Sequence, residues 1–255
     1  MHWVEVLGSR TIFLVEEMGR VVNLLIQSIR WALHPPLGLR NIFKQMEETG
    51  ANSIPVVLIT ALSTGMVLAL QSHIGFRRFN AESLVGTVVA LSMTRELGPV
   101  LTGLIVAGRA GAAMAAELGT MKVTEQIDAL TTMAVNPVKY LIVPRVLAGL
   151  VMLPILTVLA DLTGIVGGYI VAVNILDANP VVYMNKTTEH LELDDIYGGL
   201  LKAAVFGVII ATISCYKGIN AKGGAEGVGK ATTGAVVLSS LLIIISNYYL
   251  AAFLF

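Results

Sequence analysis

The chain has 255 residues, of which 55% are hydrophobic and only 13% charged, with a mean hydropathy of +0.78. Soluble domains carry about 25% charged residues, so long stretches here hold no group that needs water. A formal net charge of zero and a single cysteine, Cys215, exclude an overall basic field for nucleic acid and an intrachain disulfide framework. His2, His34, His73 and His190 are scattered without HExxH or CxxC spacing, which leaves a metal site unsupported.

Glu5, Glu16 and Glu17 interrupt any secretory-leader pattern at the N-terminus. Residues 9–34 read instead as an amphipathic helix. Glu16, Arg20, Asn23, Gln27, Arg30 and His34 form one polar stripe at steps of three and four. Phe13, Leu14, Met18, Val21, Val22, Leu25, Ile29 and Leu33 fill the rest, which suits a helix lying on the membrane or one packed on protein. Pro35-Pro36 ends it, and a shorter, more polar helix is expected over 37–50.

A helix crosses hydrocarbon with about 20 apolar residues. Five stretches qualify, at about 51–73, 83–110, 141–176, 197–217 and 231–255. The chain therefore reads as an all-α integral membrane protein: an N-terminal interfacial region over 1–50 and a transmembrane domain over 51–255. Continuous apolar runs of this kind exclude a β-barrel.

The second span contains Arg95-Glu96, followed by Leu97-Gly98-Pro99. A charge at a helix centre costs about 2.5–3.5 kcal/mol even on the lenient scale, so such residues face a cavity or each other. They read either as a polar element of a substrate path or as a structural ion pair, and Pro99 is a place for a kink. The polar segment that follows is expected to form an amphipathic helix over about 117–133, with Thr120 as a cap for its start and Met121, Val123, Ile127 and Leu130 as apolar positions. A helix of this kind docks into a groove on a soluble partner, or lies on the bilayer.

The third stretch exceeds one span, and tilt, extension or a break at Pro154 or Gly164 would accommodate it. Asp161 inside it has no sequence-local partner. Gly164 and Gly168 form GxxxG, and Ala107, Gly111 and Ala115 a small-residue row; both are expected to serve close packing within one subunit. Residues 177–195 are expected to include a short helix, with Glu189, Glu192, Asp194 and Asp195 as an acidic cluster that is either solvated or in contact with a partner on the outer side. Lys202 lies in the fourth span. Residues 224–231 nearly spell a phosphate-binding loop, but Ala231 replaces its hydroxyl residue and no strand precedes it. A flexible loop is expected there. Outside the spans, one side collects twelve Lys and Arg and the other Arg77, Arg78 and Lys186. By the positive-inside rule the N-terminus is cytoplasmic and, after five crossings, the C-terminus outside.

Three runs carry a resemblance: Arg95 to Val100; Ala107-Gly108-Arg109-Ala110-Gly111; and Ala116 to Leu130, reading AELGTMKVTEQIDAL. With Met133 to Pro137, Pro144-Arg145 and Gly229 to Thr233 they are similar in order and spacing to the MlaE/YrbE permease family. The resemblance implies a homodimeric permease of an ABC transporter in the bacterial inner membrane, moving glycerophospholipids between that membrane and the periplasm to maintain outer-membrane lipid asymmetry. It implies a separate ATPase subunit that binds ATP and Mg, so that this chain is not itself an enzyme and holds no cofactor. It further implies a hexameric periplasmic MCE-domain protein and a small STAS-domain protein. Leu68, Gln71, Phe79, Arg95, Glu96, Leu97 and Lys202 match lipid-binding positions, although Phe79 lacks the aromatic hydroxyl common there. Glu117, Gly119, Thr120, Met121, Thr124, Glu125, Gln126, Ile127 and Leu130 match the ATPase-coupling segment. The competing class is a proton- or ion-coupled secondary transporter using Asp161 and Arg95-Glu96. That class predicts paired internal repeats, and the five spans show none.

Overall fold

Lipid cannot hydrogen-bond a free N–H or C=O, so a chain this apolar must satisfy its backbone within helices. The computed structural model describes residues 2–36, 38–79 and 81–254, with the backbone alone for 2–11, 13 and 14. Phe13 and Leu14 of the amphipathic pattern thus have side chains outside the described residues. Among the described residues every regular element is helical. Five stretches are long and apolar enough to cross a membrane: Leu39–Arg77, Glu82–Val123, Val138–Asn174, Leu193–Ile219 and Gly224–Leu254.

Helix α1 (His2–Ala32) begins before the expected residue 9 and ends just ahead of Pro35-Pro36. One face packs on protein through Val21, Leu24 and the buried Ser28. Glu17 on that side accepts from Lys217 at 2.6 Å. The polar stripe links Arg20 to Glu16 at 3.2 Å and Gln27 to Asn23 at 3.4 Å. Ile12, Val15, Met18, Val22, Ile26, Ile29 and Leu33 stay exposed, so the packed and the unpacked apolar faces coexist on one helix.

Helix α2 (Leu39–Thr49) and a tight turn at Ala51–Ser53 lead into α3 (Ile54–Arg77). The second span is one rod of three α-segments, α4 (Val85–Ser92), α5 (Gly98–Val106) and α6 (Ala112–Val123), joined by π-helical turns at Met93–Leu97 and Ala107–Gly111. Each π turn holds an arginine, Arg95 and Arg109. Such widened turns concentrate where a helix must present backbone or side chains to something else.

The short α7 (Gln126–Thr132) precedes a third π turn at Val138–Ile142 and then α8 (Val143–Asn174), which continues through Pro154 and Gly164 without a break. A break at Pro154 or Gly164 is thus not how the long third stretch is accommodated. Helix α9 (Pro180–Glu189) is the short helix expected over 177–195, capped by Asn179, whose side chain accepts from Val181 and Val182 N–H. Helix α10 (Leu193–Ile219) and α11 (Gly224–Leu254) complete the chain. Residues 224–231, expected as a flexible loop, are the first turns of α11.

Small residues let the spans touch backbone to backbone. A Cβ on Gly65 of α3 would stand 1.9 Å from the Gly164 carbonyl of α8, and one on Gly168 would stand 3.4 Å from the Gly65 carbonyl. The GxxxG stripe is therefore spent on packing inside the subunit, as expected. The row Ala107, Gly111, Ala115 is likewise buried, with Ser214 and Ile210 of α10 crossing Gly111. Spans three and four are the most buried and span five the least.

Alternation of the spans sorts the molecule into two ends. The near end gathers α1, α2, α7 and the start of α11. The far end gathers α9 and the starts of α4 and α10.

Candidate functional site

A polar cluster spans the second, fourth and fifth spans toward the far end. Arg95 donates through Nε to Asp195 Oδ1 at 2.6 Å, and Nη2 lies 2.6 Å from the same oxygen. Lys202 Nζ donates to Glu96 Oε1 at 2.7 Å, and Asn247 Nδ2 to Glu96 Oε2 at 2.8 Å. Lys202 is wholly buried, whereas the Arg95 and Glu96 side chains are 39% and 40% exposed. Buried cation and half-open carboxylate thus form one wall with a polar opening. Arg95 thus pairs with Asp195 and Glu96 with Lys202, both on α10.

The backbone explains why α10 comes so close. Pro99 brings no N–H to the turn before it, so a carbonyl there lacks its helical donor. Lys202 Nζ donates to the Arg95 carbonyl at 2.9 Å. Gly199 lies one turn earlier on α10, where a Cβ would stand 2.1 Å from the Thr94 carbonyl. The expected kink at Pro99 takes the form of the π turn just before it. Asp195, read from sequence as part of an acidic cluster, is buried and closes a capping box with Glu192 at the start of α10. A carboxylate cannot be left unpaired there, and Arg95 supplies the charge.

The other positions expected to face lipid lie on and just after α3 and in the π turn. Leu68 and Leu97 are half-buried and pack on the cluster around Met93 and Val89. Gln71 and Phe79 are exposed on and beyond the last turns of α3. Asp161 of α8 points at Gly98, where a Cβ would stand 1.8 Å from Oδ1; that oxygen is buried and without a hydrogen bond among the described residues.

The near-end segment departs from the single helix expected over 117–133. Glu117, Gly119, Thr120 and Met121 belong to the last turns of α6, which ends at Val123. Thr120 does not cap a helix; its hydroxyl donates back to the Ala116 carbonyl at 2.8 Å. Thr124 does the same to Thr120, and Glu125 adopts a left-handed backbone with φ 58° before α7 begins. The hydroxyls' local bonding and the turn at Glu125 are what divide the segment. Lys122 closes the turn onto Asp128 at 2.8 Å. Glu117, Thr120, Thr124, Glu125 and Gln126 are exposed, Met121 and Leu130 half-buried, and Gly119 and Ile127 buried. Behind them Arg145, buried in α8, donates to Glu117 at 2.6 Å and to the Leu141 carbonyl at 2.6 Å. Arg109 donates to Ser53 Oγ at 2.9 Å and to the Glu48 carbonyl. These two arginines tie α8 to α6 and the second span to the α2–α3 junction.

The sequence profile described as permease MlaE matches residues 42–253. The chain belongs to the MlaE permease family. It is 50% identical over 255 residues to a probable ABC transporter permease protein of Rickettsia typhi, covering 100% of this chain and 98% of that one. It is 36% identical over 260 residues to the intermembrane phospholipid transport system permease protein MlaE of Haemophilus influenzae, covering 100% and 98%. It is 39% identical over 235 residues to the chloroplastic protein TRIGALACTOSYLDIACYLGLYCEROL 1 of Arabidopsis thaliana, covering 92% and 65%.

In this MlaE-family chain two members of the far-end cluster escaped sequence reading. Asn247 sits in a run of 25 residues that carries no charge, from Ala231 to Phe255, and a lone amide in a span gives no periodic signal. Its Oδ1 is buried without a partner among the described residues. Asp195 was hidden by its acidic neighbours Glu192 and Asp194. Its spacing of three from Glu192 was the available sign of a helix start.

Proposed function

We propose that the chain is the membrane-spanning subunit of an ATP-driven transporter that moves glycerophospholipids between the inner membrane and the periplasm, and so maintains outer-membrane lipid asymmetry. Full-length similarity to a relative named as an intermembrane phospholipid transport permease carries this reading. Two copies enclose a hydrophobic pocket open at the far end. A separate ATPase that binds ATP and Mg docks on residues 117–130, an MCE-domain hexamer covers the far end, and a small STAS-domain protein accompanies the ATPase. The near end faces the cytoplasm and the C-terminus the periplasm, in keeping with the Lys and Arg count.

The chemistry of the far-end cluster suits that task. A phospholipid needs apolar walls and a cationic group near the mouth of its slot. The planar fork of an arginine complements phosphate oxygens, and Arg95 is partly exposed beside half-buried Leu97 and Leu68. Lys202 holds Glu96 and the π turn in place from behind. At the other end, exposed Glu125 and half-buried Leu130 offer a polar and an apolar contact on adjoining faces, and Arg145–Glu117 transmits force applied there into α8.

The direct test is capture of the partner ATPase by the detergent-solubilised permease. Glu125→Lys and Leu130→Asp should each abolish co-purification and leave the five-span fold intact. Undiminished capture by both variants contradicts the docking assignment.

A further inference from the structure

A basic cavity of about 430 Å³ opens at the near end between α1, the end of α10 and the start of α11. It belongs to neither the far-end cluster nor the coupling segment. Its wall carries four cations, Arg20, Lys217, Lys222 and Lys230, against one carboxylate, Glu17. Cations converging on one concave surface focus a positive field that attracts anions.

The pairing of these cations leaves the field available. Lys217 holds Glu17 at 2.6 Å with both side chains largely covered. Arg20–Glu16 and Lys230–Glu226 are one-turn helical pairs with every side chain more than half exposed, a kind of pair that holds weakly and yields to a competing anion. Lys222 is exposed and has no ion-pair partner among the described residues. The backbone fixes this arrangement: a Cβ on Gly227 would stand 1.8 Å from the Lys222 carbonyl. The start of α11 therefore lies against the turn leaving α10, and Lys222 and Lys230 face the same space. The Lys position of the near-miss phosphate-loop sequence, Lys230, acquires a use here, in a helix and not in a nucleotide loop.

The surroundings say which anion. On α11, Val237 and Leu241 stand seven and eleven residues beyond Lys230, on the same helical face, and are 53% and 52% exposed. Large exposed aliphatics beside clustered cations mark the boundary between hydrocarbon and water. We propose that this cavity binds the headgroup phosphate of an anionic phospholipid through Arg20, Lys222 and Lys230, with the acyl chains lying along Val237 and Leu241. The lipid is a fixed ligand that seats α1 on the membrane and not the transported molecule. Lys217 lies fifteen residues along α10 from Lys202, about 22 Å at helical rise. The assignment depends on the membrane-embedded fold alone and stands whether or not the transport reading holds.

The test is hydrogen exchange on the full chain in nanodiscs of phosphatidylcholine alone, or with increasing phosphatidylglycerol. Phosphatidylglycerol is expected to slow exchange in residues 16–22 and 216–231, and phosphatidylcholine is not. K222Q and K230Q are each expected to raise the phosphatidylglycerol fraction needed for half protection by about fivefold, whereas K222R and K230R retain the wild-type response. K44Q, a near-end cation outside the cavity, is expected to leave it unchanged. Equal protection in phosphatidylcholine, an unaltered response in the K222Q/K230Q double variant, or an equal loss in K44Q overturns the proposal. Protection by inorganic phosphate in phosphatidylcholine discs equal to that by phosphatidylglycerol would assign the cavity to a free anion and overturn the lipid.

Discussion

Lys202 reaches from α10 to the backbone carbonyl of Arg95 at 2.9 Å, in the turn that Pro99 leaves one N–H short. A side chain from another span thus completes a helix that its own proline interrupts. Lys202→Met strips donors from this carbonyl and from the half-open Glu96, and leaving hydrogen-bonding groups short of a donor costs about 1–3 kcal/mol. Pro99→Ala restores a backbone N–H to the turn. The Lys202→Met loss should then shrink by about 1 kcal/mol, the net worth of one hydrogen bond. Unfolding of the four proteins of this cycle in detergent checks it, and strict additivity contradicts the coupling.

The same cluster is expected to govern lipid. Arg95→Gln keeps size and some hydrogen bonding but removes the charge. It should lower both the phospholipid that co-purifies with the permease and the rate of transfer, and Asn247→Leu should do so to a smaller degree. Normal lipid content and normal transfer in Arg95→Gln would remove the headgroup assignment.

Close backbone contact makes a sharper stability prediction. Gly65→Val drives its side chain into the Gly164 backbone and should destabilise by more than about 4 kcal/mol, or prevent accumulation in the membrane. Gly75→Val, on the same helix with nothing within 4 Å of the added Cβ, should stay within about 0.5 kcal/mol of wild type. The two variants together separate packing from a general intolerance of α3.

How much of this was legible in the sequence follows from which interactions are local. The five apolar runs and the polar stripe of α1 are set by neighbours in sequence, and the structure carries helices at each. Arg95-Glu96 announced a polar site because charge in a span is rare. Its partners were not legible: Asp195 is 100 residues away and Asn247 is 151 from Glu96, so pairing is a tertiary fact. Residues 117–133 were misread as one helix because periodicity runs on through Thr124 and Glu125. The left-handed turn at Glu125 carries no glycine to signal it. Residues 224–231 were misread in the opposite sense, since three glycines in eight residues suggest a loop while close packing on Lys222 requires one of them.

Tyr183 of α9 gives a pH test at the far end. Burial pushes its hydroxyl up to about 12 from its usual value near 10. A folded-state pKa above the unfolded one contributes stability that is whole below pH 10 and is lost as pH rises toward 12. Tyr183→Phe should abolish this alkaline loss in α9, read by hydrogen exchange of residues 180–189. A wild-type alkaline profile in the variant would contradict the assignment.

Asp161 separates the rival transporter class. A proton-coupled carrier would stop on Asp161→Asn, whereas the ATP-driven reading expects transfer to continue near its normal rate. Transfer in proteoliposomes with and without a proton gradient tells the two apart.

The most direct measurement is transfer of a fluorescent glycerophospholipid from proteoliposomes containing the permease with its ATPase and the MCE-domain protein, with and without ATP. Transfer is expected to require ATP and to fall with Arg95→Gln at the far end and Glu125→Lys at the near end. Transfer at full rate without ATP, or by the permease stripped of its ATPase, would contradict the account.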